Sequence, residues 1–298
     1  MIKVAVIRGG PSYGYDASLK TGAYVLSLLY ELPEVYAPLD IFISRDGEWH
    51  YGGLVQEPHL ALHEADVVWN ALHGAYGEDG QVQRILKNLH LPFTGPGAIP
   101  ASLSHNKDMA KVLYRRHSLL TPDSRLIIEK DFNDDKLIAV FRHFLPPIIV
   151  KPADGIHALG VRLARTFQEL KDAVKDTFKH SKKALVEEFI SGHEVSCAVV
   201  ENAKGEKLYS FVPIGSLNYK ENQQIADMAK SAHEMLGLRH YSSSDFIITP
   251  KGRIYILETN SLPVFHEESL LRQSLLSTGW KPKDFAEHCI NLALNKVS

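Results

Sequence analysis

Cysteine is nearly absent from this chain. There are 2 in 298 residues, Cys197 and Cys289, with no CxxC pair and no Cys/His spacing of the zinc type. A disulfide scaffold and a structural zinc module are therefore excluded. Cys197 lies in an apolar run and Cys289 in a helical pattern, so both are expected as buried free thiols, which suits a reducing cytoplasm. Long apolar runs are missing too. No stretch approaches the roughly 18 residues needed to span a bilayer, and MIKVAVIRGG reads as a strand entering a glycine turn rather than a signal peptide. Neither sign of charge dominates: 33 Lys and Arg against 35 Asp and Glu give a formal net charge of −2, so no global field attracts nucleic acid or an anionic membrane. The basic run at 179–183 (KHSKK) is expected as a solvated helix end. Gly9, Gly10 and Gly14 do not make the GxGxxG spacing of a nicotinamide site. Internal repeats and low-complexity tracts are also missing.

What is present is a long mixed α/β pattern. Hydrophobic content of 45% over this length is enough for two or three packed units. The first 95 or so residues alternate strands (IKVAVI, APLDIFIS, DVVWNALHG) with helical stretches (18–32, 80–90). That order predicts a mainly parallel sheet with ligand groups at the strands' carboxyl ends. A second unit starts near 101 with SLSHNKDMAKVLYRRHSL, read as one helix capped by Ser104. An α+β pattern follows through PPIIVKP and a helix over 166–179. A third unit runs from about 184, with strands ALVEEFI, HEVSCAVVE and EKLYSFVPI. It continues with an amphipathic helix over 221–236, a hairpin, and a C-terminal helix around 283–295.

The hairpin, DFIITPKGRIYILETN at 245–260, carries Asp245, Glu258 and Asn260 near one end. A two-residue loop at Lys251-Gly252 pairs Pro250 with Arg253 and sets Asp245 opposite Glu258. Glu258 and Asn260 are two apart, so a regular strand aims both to one face. Two carboxylates and an amide suit a hard cation such as Mg²⁺, which keeps phosphate oxygens in its other positions. The hairpin alone equally suits a solvated sheet face with scattered polar residues.

Other motifs stand in a fixed order around it. HGAYGEDGQVQRILKNLHLPFTGPG (73–97), SLSHNKDMAK (102–111), IVKPADGIHALGV (149–161), VEEFISGHEVSCAVV (186–200) and the Asp…Glu-x-Asn hairpin followed by Ser-x-Pro together resemble the ATP-grasp ligases, and among them the D-alanine–D-alanine ligase family. The resemblance covers nearly the whole chain. It implies an N-terminal Rossmann-like substrate domain over 1–98, a central ATP-grasp subdomain over 99–183, and a C-terminal ATP-grasp subdomain with the metal site over 184–298.

The resemblance also implies the site. Lys107 and Lys151 contact phosphates, Glu187, Phe189 and Ile190 face the adenine, and Glu194 meets the ribose hydroxyls. Asp245, Glu258 and Asn260 hold Mg²⁺, with Mn²⁺ as its substitute. His73 lies beside the first amino acid, and Ser269 meets a substrate carboxylate. Glu78 reads either as part of that site or as an acid at a helix start. A loop over 154–160 closes on the triphosphate, where the family's Gly-Ser-Ser is replaced by Ile156-His157-Ala158. The implied reaction is ATP- and Mg²⁺-dependent ligation of amino acids through an acyl phosphate, for peptidoglycan precursors. Small-molecule amino acids are the implied partners, and homodimerisation is implied only by the resemblance.

Departures gather at the amino-acid end. Gly14 stands where the family has an ammonium-binding glutamate, with Asp16 two positions on. Ser243 stands where it has an oxyanion arginine, with Arg239 four residues before. Tyr219 is a weak substitute for a loop tyrosine, and Val264 replaces a glycine. Two further readings follow: a ligase for another amino acid, hydroxy acid or peptide, and a nucleotide-binding regulator that no longer ligates.

Overall fold

The computed structural model describes residues 1–155, 160–215 and 217–295. Three sheets organise it. The first runs β4-β3-β2-β1-β5. It is built from β1 (Ile2–Gly9), β2 (Tyr36–Ile43), β3 (Trp49–Tyr51), β4 (Leu54–Gln56) and β5 (Val67–Asn70), with α1 (Tyr15–Tyr30), α2 (Pro58–Ala61) and α3 (Gln81–Asn88) between and after them. β1 lies between β2 and β5, parallel to both, so its β-branched run is covered on both faces and Val4 to Ile7 are fully buried. At the carboxyl end of β1 the chain passes very close to β2. A Cβ on Gly9 would sit 2.2 Å from the Ile43 carbonyl oxygen, at φ +95, so only glycine fits.

The stretch expected as one helix over 102–119 is two, α4 (Ala98–His105) and α5 (Lys107–Arg116). Asn106, at φ −87 and ψ 97, breaks it and caps α5 by accepting the Met109 N–H. Ser104 is not a cap, as the sequence suggested. It is buried, and its hydroxyl donates to the Thr259 carbonyl. The second sheet, β6-β9-β7-β8, joins β6 (Ser124–Ile128), β7 (Ile148–Pro152), β8 (Arg162–Ala164) and β9 (Lys183–Glu188), with α6 (Asp134–His143) and α7 (Phe167–Thr177) on one face. The strand ALVEEFI therefore pairs with β6 and β7, not with the strands that follow it. Alternation sets its two faces. Val150, Ala184 and Val186 pack under the helices, while Ile149, Lys151 and Glu187 face the other way.

The third sheet, β11-β10-β12-β13, comprises β10 (His193–Ala203), β11 (Glu206–Ser210), β12 (Tyr241–Ile248) and β13 (Ile254–Asn260). On one face α8 (Tyr219–Met235) and α5 share a core with Cys197, Phe246 and Ile256. On the other, α9 (Leu270–Ser277), which the sequence reading did not anticipate, and α10 (Pro282–Ala293) join Val25 and Leu29 of α1. Trp69 of β5 stacks against Tyr241 and Phe265 at 6.1 and 6.2 Å, tying the first sheet to the third. Cys197 and Cys289 are free and buried.

Candidate active site

The hairpin places its polar residues by a route different from the one expected. Its loop has three residues, not two: the Thr249 N–H donates to the Arg253 carbonyl, and Gly252 takes the left-handed conformation at φ +75. The pairs near the loop are Ile248 with Ile254 and Phe246 with Ile256. Continued unchanged, that register would set Asp245 opposite Leu257 and turn Glu258 to the other face. A bulge at Leu257 absorbs one residue and restores the pairing of Asp245 with Glu258 and of Ser243 with Asn260.

The three residues meet there. Asn260 Nδ2 donates to Asp245 Oδ2 at 3.0 Å, which leaves the amide oxygen for another partner. Burial, then the charge of Glu258, push the Asp245 carboxyl up, and hydrogen bonds from Ser196 and Asn260 oppose them. Two adjacent half-buried carboxylates call for positive charge. Lys107 supplies part of it, with Nζ 2.9 Å from Glu258 Oε2 and also donating to the Gly155 carbonyl at 2.6 Å. Among the described residues no group of three His, Cys, Asp or Glu side chains could hold a metal ion. The candidate set is two carboxylates plus an amide, a hard-oxygen set that fits Mg²⁺ or Mn²⁺.

A cleft of about 280 Å³ runs between the second and third sheets. Lys151, Glu187, Phe189 and Ile190 line it from one side, and Glu194, Asp245, Leu257 and Glu258 from the other. Phe189 is 43% exposed, and both it and Ile190 lie beyond the last ladder pair of β9. Glu194 is exposed at the rim. Glu187, expected on the adenine side, has its carboxylate buried between two lysines: Lys151 Nζ is 2.8 Å from Oε2 and Lys111 Nζ 2.9 Å from Oε1. Burial alone would raise the Glu187 carboxyl, but the two ammonium charges hold it below the usual value. Burial pulls Lys111 down to about 8, despite Glu187. In Lys151 the carboxylates of Glu187 and Glu258 outweigh burial and raise it.

Sequence reasoning missed Lys111. Its only signal was position, four residues after Lys107 on one helix. Its Nζ also donates to Thr121 Oγ1 at 2.8 Å and to the Pro122 carbonyl at 3.0 Å, with no side-chain exposure.

A larger cavity of about 680 Å³ lies between the first and second units, reaching from Ser12, Tyr13 and Gly74 to Asp154, Gly155 and Gly160. His180, Ser181 and Lys183 line it, so the basic run expected as a solvated helix end rims a cavity. Residues 156–159, with the replacement at Ile156-His157-Ala158, lie outside the described residues. His73 is buried, with Nε2 2.9 Å from Thr21 Oγ1. Glu78 is no helix-start acid, since α3 begins at Gln81. Its carboxylate accepts the Gly74 N–H at 2.6 Å and the Leu262 N–H, and burial pushes it up to about 7.

At the amino-acid end the departures have steric and bonding reasons. A Cβ on Gly14 would sit 2.5 Å from the His73 carbonyl oxygen, so no side chain fits. Asp16 is exposed and pairs with Arg45 at 3.3 Å. Ser243 is buried against Ser196, 2.9 Å between hydroxyls. Arg239 reaches away, donating to the Gly95 carbonyl at 2.7 Å and lying 4.7 Å over the Phe93 ring. Tyr219 is 87% exposed at the start of α8. Ser269 caps α9: its hydroxyl donates to the His266 carbonyl at 2.8 Å and accepts the Arg272 N–H at 3.3 Å. Its one proton is therefore already engaged.

Two family models match the chain. The D-ala D-ala ligase C-terminus matches residues 113–214 and 204–291, and the D-ala D-ala ligase N-terminus matches 54–96. The chain is 32% identical to a D-alanine–D-alanine ligase of Desulfotalea psychrophila, over 99% of this chain and 96% of that one. Among solved structures, the D-alanine–D-alanine ligase of Coxiella burnetii superposes with a TM-score of 0.88 at 21% identity, covering 99% of this chain and 94% of that one. The VanG D-Ala:D-Ser ligase of Enterococcus faecalis gives 0.85 at 22%, covering 98% and 99%. The Bacillus anthracis D-alanine–D-alanine ligase complexed with ATP gives 0.81 at 23%, covering 99% and 98%. At those identities the structures speak for the fold, which is that of the ATP-grasp ligases.

Proposed function

The chain belongs to the D-alanine–D-alanine ligase family, whose members are ATP-dependent ligases, and we propose that it joins the carboxylate of one amino acid to the amine of a second in the making of peptidoglycan precursors. One observation carries this reading: Lys151, Asp245 and Glu258 line one cleft between two sheets, and Asn260 and Lys107 join them through bonds to Asp245 and Glu258. The adenine lies against Phe189 and Ile190 and pairs its edge with their backbone groups, which follow the last ladder pair of β9. Glu194 takes the ribose hydroxyls with its two acceptor oxygens. Lys107 and Lys151 leave their carboxylates in part and follow the phosphate oxygens as mobile point charges. A Mg²⁺ ion, or Mn²⁺ in its place, would be held by Asp245, Glu258 and Asn260 and would supply charge to offset what builds on the transferred phosphoryl group.

The substrate carboxylate attacks the γ-phosphate to give an acyl phosphate, which the second substrate's amine opens with loss of phosphate. The cavity between the first and second units holds both amino acids and keeps water from the acyl phosphate. His73 sets the shape of the first subsite from beneath, through its bond to Thr21. Ser269 acts on the second substrate's carboxylate by turning its hydroxyl from His266, or by leaving that task to the N–H groups at the start of α9. Residues 1–98 form the substrate domain, and the boundary between the two grasp subdomains moves from the expected 183/184 to just past β9, because β9 belongs to the second sheet. The homodimer that the resemblance implies, and the cytoplasmic setting that two buried thiols suit, belong to the same reading.

A second reading concerns the substrate. Gly14 has no room for a side chain and Asp16 is turned to Arg45, so neither offers a carboxylate to an ammonium group. This favours another amino acid, a hydroxy acid or a peptide over D-alanine as the first substrate. The test is phosphate release from Mg-ATP against a panel of D- and L-amino acids, hydroxy acids and dipeptides, with products identified by mass. Release with D-alanine supports the first reading, and release only with another compound supports the second. No release with any member sinks both.

A further inference from the structure

Two cavities meet at one histidine. The cavity of about 680 Å³ opens toward Ser12 and Gly74, the amino-acid end. A second, of about 10 Å³ and room for about one water, lies against Lys107, Glu258 and Asn260, the phosphate end. His105 and Gly155 line both. An acyl group bound to phosphate on one side and meeting an amine on the other has to sit where these spaces join. His105 is the last residue of α4, and the break at Asn106 puts it and Lys107 on the same junction.

We propose that His105 accepts the proton of the incoming amine as that amine attacks the acyl phosphate. The inference rests on the ligase reading above. The imidazole hydrogen-bonds to the backbone of Asp154. A carbonyl acceptor there engages one ring N–H, which fixes the tautomer and leaves the other nitrogen with its lone pair. The charged groups facing the ring are Lys107 from α5, Asp154 after β7 and Asp79 before α3, with Glu78 and Glu258 on the small cavity's wall. Burial, then Lys107, hold the ring's pKa below the ordinary histidine value against the two aspartates, so it is neutral and able to accept. The neighbouring alternatives are less suited: His73 is buried and lines neither cavity, the Ser269 proton is engaged with His266, and the Glu78 carboxylate accepts two backbone N–H groups.

The step balances without a further reactant. The neutral amine nitrogen attacks the acyl carbon, and the C–N bond forms. Its proton passes to the imidazole lone pair. The C–O bond to phosphate breaks, and the electron pair leaves with the phosphate. The imidazolium returns its proton to a phosphate oxygen or to water in the larger cavity.

The test compares two amines. Hydroxylamine is a weak base, already unprotonated at neutral pH, and traps an acyl phosphate as a hydroxamate without needing an acceptor. In His105→Gln, dipeptide formation should fall about 10²–10⁴-fold, while hydroxamate formation and the KM for ATP stay within a few-fold of the unmodified enzyme. A parallel loss of both products assigns His105 a structural role and overturns the proposal, as does full retention of dipeptide formation. If the unmodified enzyme yields neither product and no phosphate with any carboxylate, the ligase reading itself has failed, an outcome distinct from a selective failure of His105.

Discussion

Replacing Asp245 by asparagine should make the ligand-free protein more stable and the cation-bound protein less so. Burial and the facing charge of Glu258 push the Asp245 carboxyl up to about 7 from an ordinary 3.8. The folded state therefore keeps a proton that the unfolded chain releases near pH 4. Ligand-free stability falls as pH rises from about 4 to about 7, and is level above that. At about 1.4 kcal/mol per unit, the ceiling of the penalty near pH 8 is about 4 kcal/mol. Relaxation around Lys107 and the charge shared with Glu258 reduce it, so a gain of roughly 1–4 kcal/mol is expected for Asp245→Asn. Asparagine keeps the shape and can still accept from Asn260. The assay is urea unfolding in a chelator at about pH 4.5 and about pH 8, with the gain concentrated at the higher pH. Saturating Mg²⁺ and a non-hydrolysable ATP analogue, at about 100 times Kd, should then stabilise the unmodified protein by about 2.7 kcal/mol and the variant by far less. A variant less stable at both pH values, or a gain independent of pH, would refute the reasoning.

Glu187→Gln should cost more stability than Lys111→Met, by unfolding midpoint. The first leaves two buried ammonium groups without their shared carboxylate, at about 3–5 kcal/mol. The second leaves one matched pair and removes a desolvated charge. Equal losses would contradict the assignment of Glu187 as the hub. Gly14→Ala should cost about 1–3 kcal/mol, because its Cβ lands 2.5 Å from the His73 carbonyl oxygen. A fully stable Gly14→Glu protein with raised D-alanine activity would show that room exists there after all. Arg239→Ala should lower stability by about 1–3 kcal/mol with turnover per folded molecule unchanged. A turnover loss of about 10²–10³ at unchanged stability would instead make Arg239 an oxyanion donor.

Part of this site was legible because the chemistry is local in sequence. Asp245, Glu258 and Asn260 lie within one hairpin, and parity along two strands is enough to aim them together. Even so, the expected pairing arose from two deviations that cancel: a loop one residue longer and a bulge at Leu257. Neither leaves a clear mark in the sequence, since Pro250-Lys251-Gly252 suits several turns. The motif lysines Lys107 and Lys151 stood out against a family pattern, whereas Lys111 did not, because only the fold brings α5 under Glu187. Of the two readings of Glu78, the helix-start acid fails for a similar reason. Its partners, Gly74 and Leu262, come from a tight loop and from the segment after β13, far apart in the chain. Strand ALVEEFI was assigned by adjacency, yet it closes the second sheet before β10 opens the third. Asn106 shows that a good cap inside an apolar period can split a helix.

In the proposed ligase, two carboxylates and an amide from β12 and β13 would hold a divalent cation against a nucleotide's polyphosphate. Mn²⁺ binding followed by electron paramagnetic resonance, with and without a non-hydrolysable ATP analogue, tests it most directly in the unmodified protein and in Glu258→Gln and Asn260→Ala. Nucleotide should tighten Mn²⁺ binding in the unmodified protein, and each substitution should weaken that tightening by about tenfold or more. Mn²⁺ affinity indifferent to nucleotide, or unchanged in both variants, would contradict the account.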